Sequence, residues 1–291
     1  MKKVQIASAT LYLADAREVV LDGGSVDMIF TDPPYGHKNN DTDLIANWEK
    51  VFNRRFHFGR SQNTTRPIMN DGKEADDLGQ WLFKQASDVL TTGGGICCCC
   101  GGGGPDPQFA RWSLWMDQYL DFMQAIVWDK GPMGLGHYYR RSYEMVLVAR
   151  KKGNTRLKWY DTSNQIENVI RPGQYGIRKI IPRENQHPTI KPVELAAHFI
   201  QLHTKKNDVV YDPFMGEGTT GVAALSLGRK FVGVEMDECW FDKACISVEK
   251  ASSGLFAPTK RDHPNRPDPL FYSSRKQKQH AKVRKETEGE D

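Results

Sequence analysis

Short apolar runs bounded by turn residues alternate along the chain with stretches of helical spacing. Ser25-Val26-Asp27-Met28-Ile29-Phe30 is one such run and predicts a buried strand over Val26–Phe30, of the kind found in parallel sheets. A shorter strand is expected at Thr10–Leu13, ending at Ala14-Asp15, with a helical turn over Ala16–Leu21 behind it. Leu78, Trp81, Leu82, Ala86, Val89 and Leu90 recur at helical spacing. Asn70 and Asp71 can cap that helix near Lys73, and Gly93–Gly95 is expected to end it. Ile96–Cys100 reads as the next strand. Pro105–Leu120 reads as a second amphipathic helix with Phe109, Trp112, Trp115, Met116 and Tyr119 inward. Strands are expected at Phe122–Trp128 and Tyr143–Ala149. The rhythm then resumes with helix Pro192–Leu202, strand Asp208–Tyr211, helix Thr219–Leu227, strand Phe231–Val234 and helix Cys239–Lys250. Strands alternating with helices predict an α/β fold.

Three stretches break this rhythm. Residues 37–66 are long, polar and irregular and carry Arg54 and Arg55; they read either as a flap that touches substrate or as a solvated insertion. Residues 151–186 are polar, basic and weakly periodic, and read as an excursion off the sheet and a candidate recognition segment. From about residue 251 the composition turns to Pro, Lys and Arg, then to acidic residues, and the tail 251–291 is expected to be disordered. The catalytic domain is therefore expected within residues 1–250.

The chain has 291 residues, 39% of them apolar, enough for one large α/β domain or two small ones. Its net charge of +4 permits a polyanionic partner without demanding one. Neither a signal peptide nor an apolar run of membrane-spanning length is evident, so a cytoplasmic protein is expected. Four of the six cysteines are consecutive, Cys97–Cys100. Neighbours in a strand point to opposite faces, so this run cannot enclose a tetrahedral metal, and no metal site is expected. A buried strand of small residues in a reducing compartment accounts for it.

Thr31-Asp32-Pro33-Pro34-Tyr35-Gly36 follows the first buried strand. In open α/β sheets ligands bind beyond the carboxyl ends of the strands. Two prolines stiffen the loop and remove two N–H donors while leaving their carbonyls as acceptors. The result is a carboxylate, a proline carbonyl and a flat ring, a set suited to gripping an amino group on a planar ring; a plain strand-end turn is the alternative. Farther on, Asp129–Gly136 forms a loop, followed by Tyr138-Tyr139-Arg140-Arg141. These aromatic and arginine side chains suit base stacking and phosphate contact, or else a surface cluster.

Val209-Val210-Tyr211-Asp212-Pro213-Phe214-Met215-Gly216-Glu217-Gly218-Thr219-Thr220-Gly221 joins a strand to a helix. Gly216 and Gly218 allow close approach to the backbone, and Glu235 ends the next strand where ribose-binding carboxylates fall in dinucleotide folds. There is no G-x-x-x-x-G-K-[ST] sequence, and Glu217 would repel a pyrophosphate. An adenosine cofactor without phosphate, S-adenosylmethionine, fits better.

Asp32-Pro33-Pro34-Tyr35, then His187-Pro188-Thr189-Ile190-Lys191-Pro192, then Asp212-Pro213-Phe214-Met215-Gly216-Glu217-Gly218-Thr219-Thr220 resemble, in that order, the β-class DNA amino-methyltransferases. The resemblance spans roughly residues 10–250; Trp128-Asp129-Lys130 and the loop after it are similar to phage-borne members. It implies a Rossmann-like S-adenosylmethionine-dependent fold, circularly permuted, with a mostly parallel sheet and helices on both faces. It also implies that Asp32, Pro33, Pro34 and Tyr35 hold the target amino group. Cofactor contacts are implied for Asp212, Phe214, Gly216, Gly218, Thr219 and Thr220, with Glu235 on the ribose. Thr189 and Lys191 would lie at the cofactor's methionine end and Asp15 beside its adenine. Glu217 departs from the serine common in the family.

The resemblance further implies DNA as partner, a homodimer as one oligomeric option, and restriction-modification in a prokaryotic or phage-infected cell as the setting. A flipped base would present its exocyclic amino group to Asp32 and the Pro33 carbonyl, with Tyr35 on its face. Adenine N6 is the expected acceptor because the first motif begins with Asp; cytosine N4 is the alternative. No cysteine follows a proline, which excludes the nucleophile of 5-position cytosine methylases. RNA or protein as acceptor, and a nucleic-acid-binding protein with a decayed cofactor site, are the remaining readings.

Overall fold

The computed structural model describes residues 1–35, 74–101, 107–131, 139, 142–153, 155–177 and 191–254. The described strands are β1 (Lys2–Ile6), β2 (Ala9–Leu13), β3 (Val26–Thr31), β4 (Leu90–Cys100), β5 (Leu120–Asp129), β6 (Tyr143–Lys151), β7 (Val169–Ile170), β8 (Val209–Asp212) and β9 (Lys230–Glu235). They form one sheet in the order β1-β2-β9-β8-β3-β4-β6-β5-β7. The β2–β9, β9–β8, β8–β3, β3–β4 and β5–β7 pairs are parallel, whereas β1–β2, β4–β6 and β5–β6 are antiparallel.

The described α-helices are α1 (Glu74–Val89), α2 (Gln108–Tyr119), α3 (Val193–His203), α4 (Thr219–Ser226) and α5 (Glu238–Ser252). The pleat of the sheet divides the interior into two cores. Met28, Phe30, Cys97 and Cys99 pack on one face with Leu195, Phe199, Ala223, Phe241 and Val248. Ile29, Cys98 and Cys100 pack on the other with Leu82, Phe83, Trp112 and Met116. The consecutive cysteines are thus free, buried strand residues that alternate between the cores. Gly79 admits the Trp112 indole, because a Cβ there would stand 3.0 Å from the ring. Helices cover both faces as expected.

Several expectations require correction. Gly93–Gly95 does not end a helix: α1 stops at Val89 and the chain turns directly into β4. The glycines sit inside the strand, where the β3–β4 register shifts between Val26 and Met28. A Cβ at Gly94 would lie 2.9 Å from the Asp27 carbonyl, and one at Gly95 would lie 2.6 Å from Leu157, so these positions serve a bulge under close packing. β1 adds an edge strand that the apolar pattern does not reveal, since only Val4 and Ile6 face the core. The segment 151–186 is not wholly off the sheet. Leu157 packs against Gly95, Lys158 Nζ donates to Asp27 Oδ1 at 2.7 Å, and β7 then pairs with β5.

The connection from β8 through α4 leads outward to β9, whereas the chain after β3 leads the other way, to β4. β8 and β3 are adjacent and parallel, so their carboxyl ends flank the point where strand order reverses. Both motif loops emerge there. No helix among the described residues is long and apolar enough to cross a membrane.

Candidate active site

Asp212 ends β8 and Thr31 ends β3, and the two strand ends are fastened together. Asp212 Oδ1 accepts from the Thr31 hydroxyl at 2.7 Å and from the Phe214 N–H at 3.0 Å. Its Oδ2 accepts from the Thr220 hydroxyl at 2.6 Å. Burial pushes the Asp212 carboxyl up to about 6 against the pull of these three donors. Asp212 and Thr220, expected at the cofactor, are hydrogen-bonded to each other, and Asp212 also braces the end of β3 through Thr31.

One residue beyond Thr31, Asp32 has a different set of partners. Its Oδ1 accepts from the Tyr35 hydroxyl at 2.6 Å and its Oδ2 from Lys191 Nζ at 2.6 Å. The Lys191 ammonium also lies 3.2 Å from Glu144 Oε2 and 5.4 Å from the centre of the Tyr35 ring. Glu144 Oε1 accepts from Lys130 Nζ at 2.7 Å. Charges therefore alternate along Lys130, Glu144, Lys191 and Asp32. Burial alone would lower Lys191, yet Asp32 and Glu144 hold it above its ordinary value as an ammonium. Burial would raise Glu144, but Lys191 and Lys130 bring it to about 2. Asp32 stays raised, because burial outweighs the attraction of Lys191 and Glu144 adds repulsion.

The motif loop is also held from below. Gln108, buried at the start of α2, donates to the Tyr35 carbonyl at 3.0 Å and accepts from Gly101 N–H at 2.9 Å. Burial raises the Tyr35 phenol well above its ordinary value, so it remains a donor to Asp32. Glu144, Lys130 and Gln108 escaped the sequence reading. Their only signal is a pair of charged residues at the end of the β5–β6 pair where β5 stops and β6 begins, Lys130 just past β5 and Glu144 on β6, and a glutamine where a helix begins. β6 is antiparallel to β4, which brings its first residues to the edge where β3 ends.

On the β8 side, Gly216 and Gly218 both have positive φ, 50° and 81°. A Cβ on Gly218 would also stand 3.1 Å from that of Ala244 on α5. Glu235 ends β9 and turns its carboxylate back on the glycine turn. It accepts from the N–H groups of Gly216 at 3.0 Å, Met236 at 2.9 Å and Asp237 at 2.8 Å. Burial raises this carboxyl despite those donors. Thr219 opens α4, and Phe214 meets Trp81 edge-on with centroids 6.3 Å apart. Asp15 lies just past β2, whose Leu13 is in register with Glu235, and is paired with Arg17. Glu217 faces Lys243 Nζ at 3.5 Å, so α5 supplies a cation for the acidic residue in the turn. The turn and the Glu235 carboxylate fit an adenosine moiety: backbone able to approach it closely, and an acceptor-only group for ribose hydroxyls.

Thr189, Arg54, Arg55, Tyr138, Arg140 and Arg141 lie outside the described residues. Tyr139 is described and almost fully exposed. Among the described residues, no cluster of three or more His, Cys, Asp and Glu side chains could hold a metal ion.

A glycine turn with an acidic strand end, beside a stiff Asp-Pro-Pro-Tyr loop at a strand-order reversal, defines a methyl-transferring enzyme of Rossmann-like fold. The sequence profile of the N6/N4 DNA methylases matches residues 26–245, and the chain belongs to this DNA methylase family. It is 27% identical over 252 residues to the Type II methyltransferase M2.LlaDCHI of Lactococcus lactis subsp. cremoris, covering 79% of this chain and 84% of that protein. It is 26% identical over 237 residues to the Type II methyltransferase M2.DpnII of Streptococcus pneumoniae, covering 74% and 79%. Among solved structures, the M1.HpyAVI–SAM complex has a TM-score of 0.54 at 21% identity, covering 82% of this chain and 99% of that one. The cytosine-N4-specific PvuII DNA methyltransferase has a TM-score of 0.59 at 17% identity, covering 85% and 91%.

Proposed function

We propose that this DNA methylase transfers a methyl group from S-adenosylmethionine to the exocyclic amino group of a flipped base at a defined DNA site, with adenine N6 as the acceptor. The observation that carries the reading is the Asp32 carboxylate, held at the end of β3 beside the glycine turn of β8. When bound, S-adenosylmethionine supplies an electrophilic methyl group on a sulfonium. Gly216 and Gly218 would let it approach the backbone, Glu235 would take its ribose, and Phe214, Thr219 and Asp15 would line its adenosine end.

An exocyclic amino group is a poor nucleophile because its lone pair is delocalised into the ring. Asp32 and the Pro33 carbonyl would accept its two N–H bonds and draw the nitrogen toward tetrahedral geometry, while Pro34 keeps the loop stiff. Tyr35 would lie against the base, its phenol anchoring the carboxylate. Charge that develops on the nitrogen during transfer is stabilised by Asp32. The amino group is out of reach inside a duplex, so the base must leave the stack. Arg54, Arg55 and the Tyr138–Arg141 cluster are assigned to the DNA backbone and bases, and residues 151–186 to target recognition. A homodimer working in the bacterial cytoplasm fits the same reading.

The test is transfer of label from S-adenosylmethionine to unmethylated DNA, with the product digested to nucleosides. Label in N6-methyladenine is the expected result. Label in N4-methylcytosine retains the mechanism and changes the base. Unlabelled DNA overturns the reading.

A further inference from the structure

Both oxygens of the proposed acceptor carboxylate are already engaged. Tyr35 takes Oδ1 and the Lys191 ammonium takes Oδ2 at 2.6 Å. The target amino group needs one of these oxygens. The phenol belongs to the same short loop and is held through its carbonyl by Gln108, so Lys191 is the exchangeable partner. A second observation says where its charge can go. Glu144 Oε2 is buried without a hydrogen-bond donor among the described residues, although Lys191 Nζ stands only 3.2 Å away. The ammonium aims at Asp32, and Glu144 Oε2 lies beside it at ion-pair distance, not squarely in line with a donor. The other oxygen of Glu144 is already held by Lys130.

We propose that Lys191 is a displaceable counter-ion: its ammonium occupies Asp32 until the amino group of the flipped base takes its place, and Glu144 receives the ammonium that the base displaces. This rests on the amino-transfer reading above and adds a positioning residue, Lys191, and a seat for it, Glu144. The exchange is electrostatically level. Lys130, Glu144, Lys191 and Asp32 carry two charges of each sign before and after the ammonium shifts, so no uncompensated charge is left in the interior. Before the base arrives, the Lys191 ammonium opposes the burial that favours the protonated form of Asp32. A protonated Asp32 would present an O–H donor on one oxygen and lose its value as a double acceptor. The titratable and charged groups around Asp32 are Tyr35 on its own loop, Cys98, Cys99 and Cys100 on β4, Lys130 after β5, Glu144 on β6, Asp212 on β8 and Lys191 before α3. The cysteines and the phenol are neutral, because burial raises each above its ordinary value, so Lys191 is the cation that contacts Asp32 among the described residues.

The test compares kcat and KM for DNA across pH in the wild-type protein, Lys191→Met, Lys191→Arg and Glu144→Gln, with cofactor binding and thermal unfolding as checks on folding. Lys191→Met is expected to move the acid limb of the kcat/KM profile upward by about one pH unit or more, so that most of its lost activity returns at alkaline pH. Lys191→Arg, which keeps the charge, is expected to retain the wild-type limb. Glu144→Gln removes the seat, and is expected to raise KM for DNA about tenfold with a smaller change in kcat. A folded, cofactor-binding Lys191→Met with the wild-type acid limb overturns the proposal, as does Glu144→Gln with unchanged KM. Should Lys191→Met not fold, Glu144→Gln decides alone. Wild-type protein that methylates no DNA overturns the underlying reading instead, so the two failures are distinct.

Discussion

Asp32 and Asp212 end or follow adjacent parallel strands and each precedes a proline; Asp212 is buried and Asp32 part-buried, and their oxygens are engaged by different kinds of partner. Asp212 is bound by two threonine hydroxyls and an amide, all belonging to the scaffold. Asp32 is bound by a phenol and an ammonium, and the ammonium has a second carboxylate within 3.2 Å. The first arrangement is saturated and rigid; the second can exchange a donor. Residue type and strand position alone therefore do not separate a brace from a reactive group. The number of neutral, fixed donors around the carboxylate does.

The largest expected difference comes from removing each carboxylate. Asp32→Asn is expected to lower kcat by about 10²–10³-fold, the range seen when a group that stabilises transition-state charge is lost, while cofactor binding persists. Asp212→Ala is expected to act mainly on stability. It strips two hydroxyls and an N–H of their acceptor, at about 3 kcal/mol in total, a fall in Tm of roughly 6–12 °C in a calorimetric scan. If Asp212→Ala kept its Tm and lost only turnover, the comparison would collapse.

Gly218→Ala is next. A φ of 81° and the Ala244 contact at 3.1 Å oppose any side chain there. Chemical denaturation is expected to show a loss of about 1–2 kcal/mol, with weaker cofactor binding in calorimetry. Thr31→Val removes one donor from Asp212 while preserving shape, and about 1 kcal/mol of stability is expected to go without a shift in the acid limb of kcat. The smallest effect is one of slope. Asp212 is raised from 3.8 to about 6 in the folded protein, so its contribution to stability is complete below pH 3.8 and lost as pH rises through about 6. Relative to Asp212→Asn, the wild-type protein is expected to lose stability between pH 4 and 6.5; urea titrations across that window that run parallel for the two proteins would contradict the assignment.

Much of the fold was legible in the chain because its signals are local. The β3 run, the α1 periodicity and the strand-turn-helix around Gly216 and Gly218 each lie within about a dozen residues, where pattern determines structure. β1 escaped because an edge strand buries only alternate small stretches of apolar surface. Gly93–Gly95 misled because a glycine cluster after a helix signals a stop, and only the packing of Leu157 and Asp27 shows it to be a bulge. The site divides in the same way. Asp32, Tyr35 and Glu235 could be picked out from motifs. Lys191 was assigned by resemblance to the methionine end of the cofactor, yet its ammonium sits on Asp32 across 159 residues of sequence. Glu144 carried no motif, and Lys130 stood in the Trp128-Asp129-Lys130 resemblance without a role.

By itself the sequence determined where most of the interior strands fall, that two stiff or glycine-rich loops follow two of them, and which functional groups those loops carry. These are consequences of backbone preference and short-range pattern. Only the tertiary structure decided that the two loops would be neighbours, that Asp212 would be saturated by Thr31 and Thr220, and that Asp32 would share an ammonium with Glu144. Those outcomes depend on which distant side chains enter the same low-dielectric space, where burial and pairing set the behaviour of each charge.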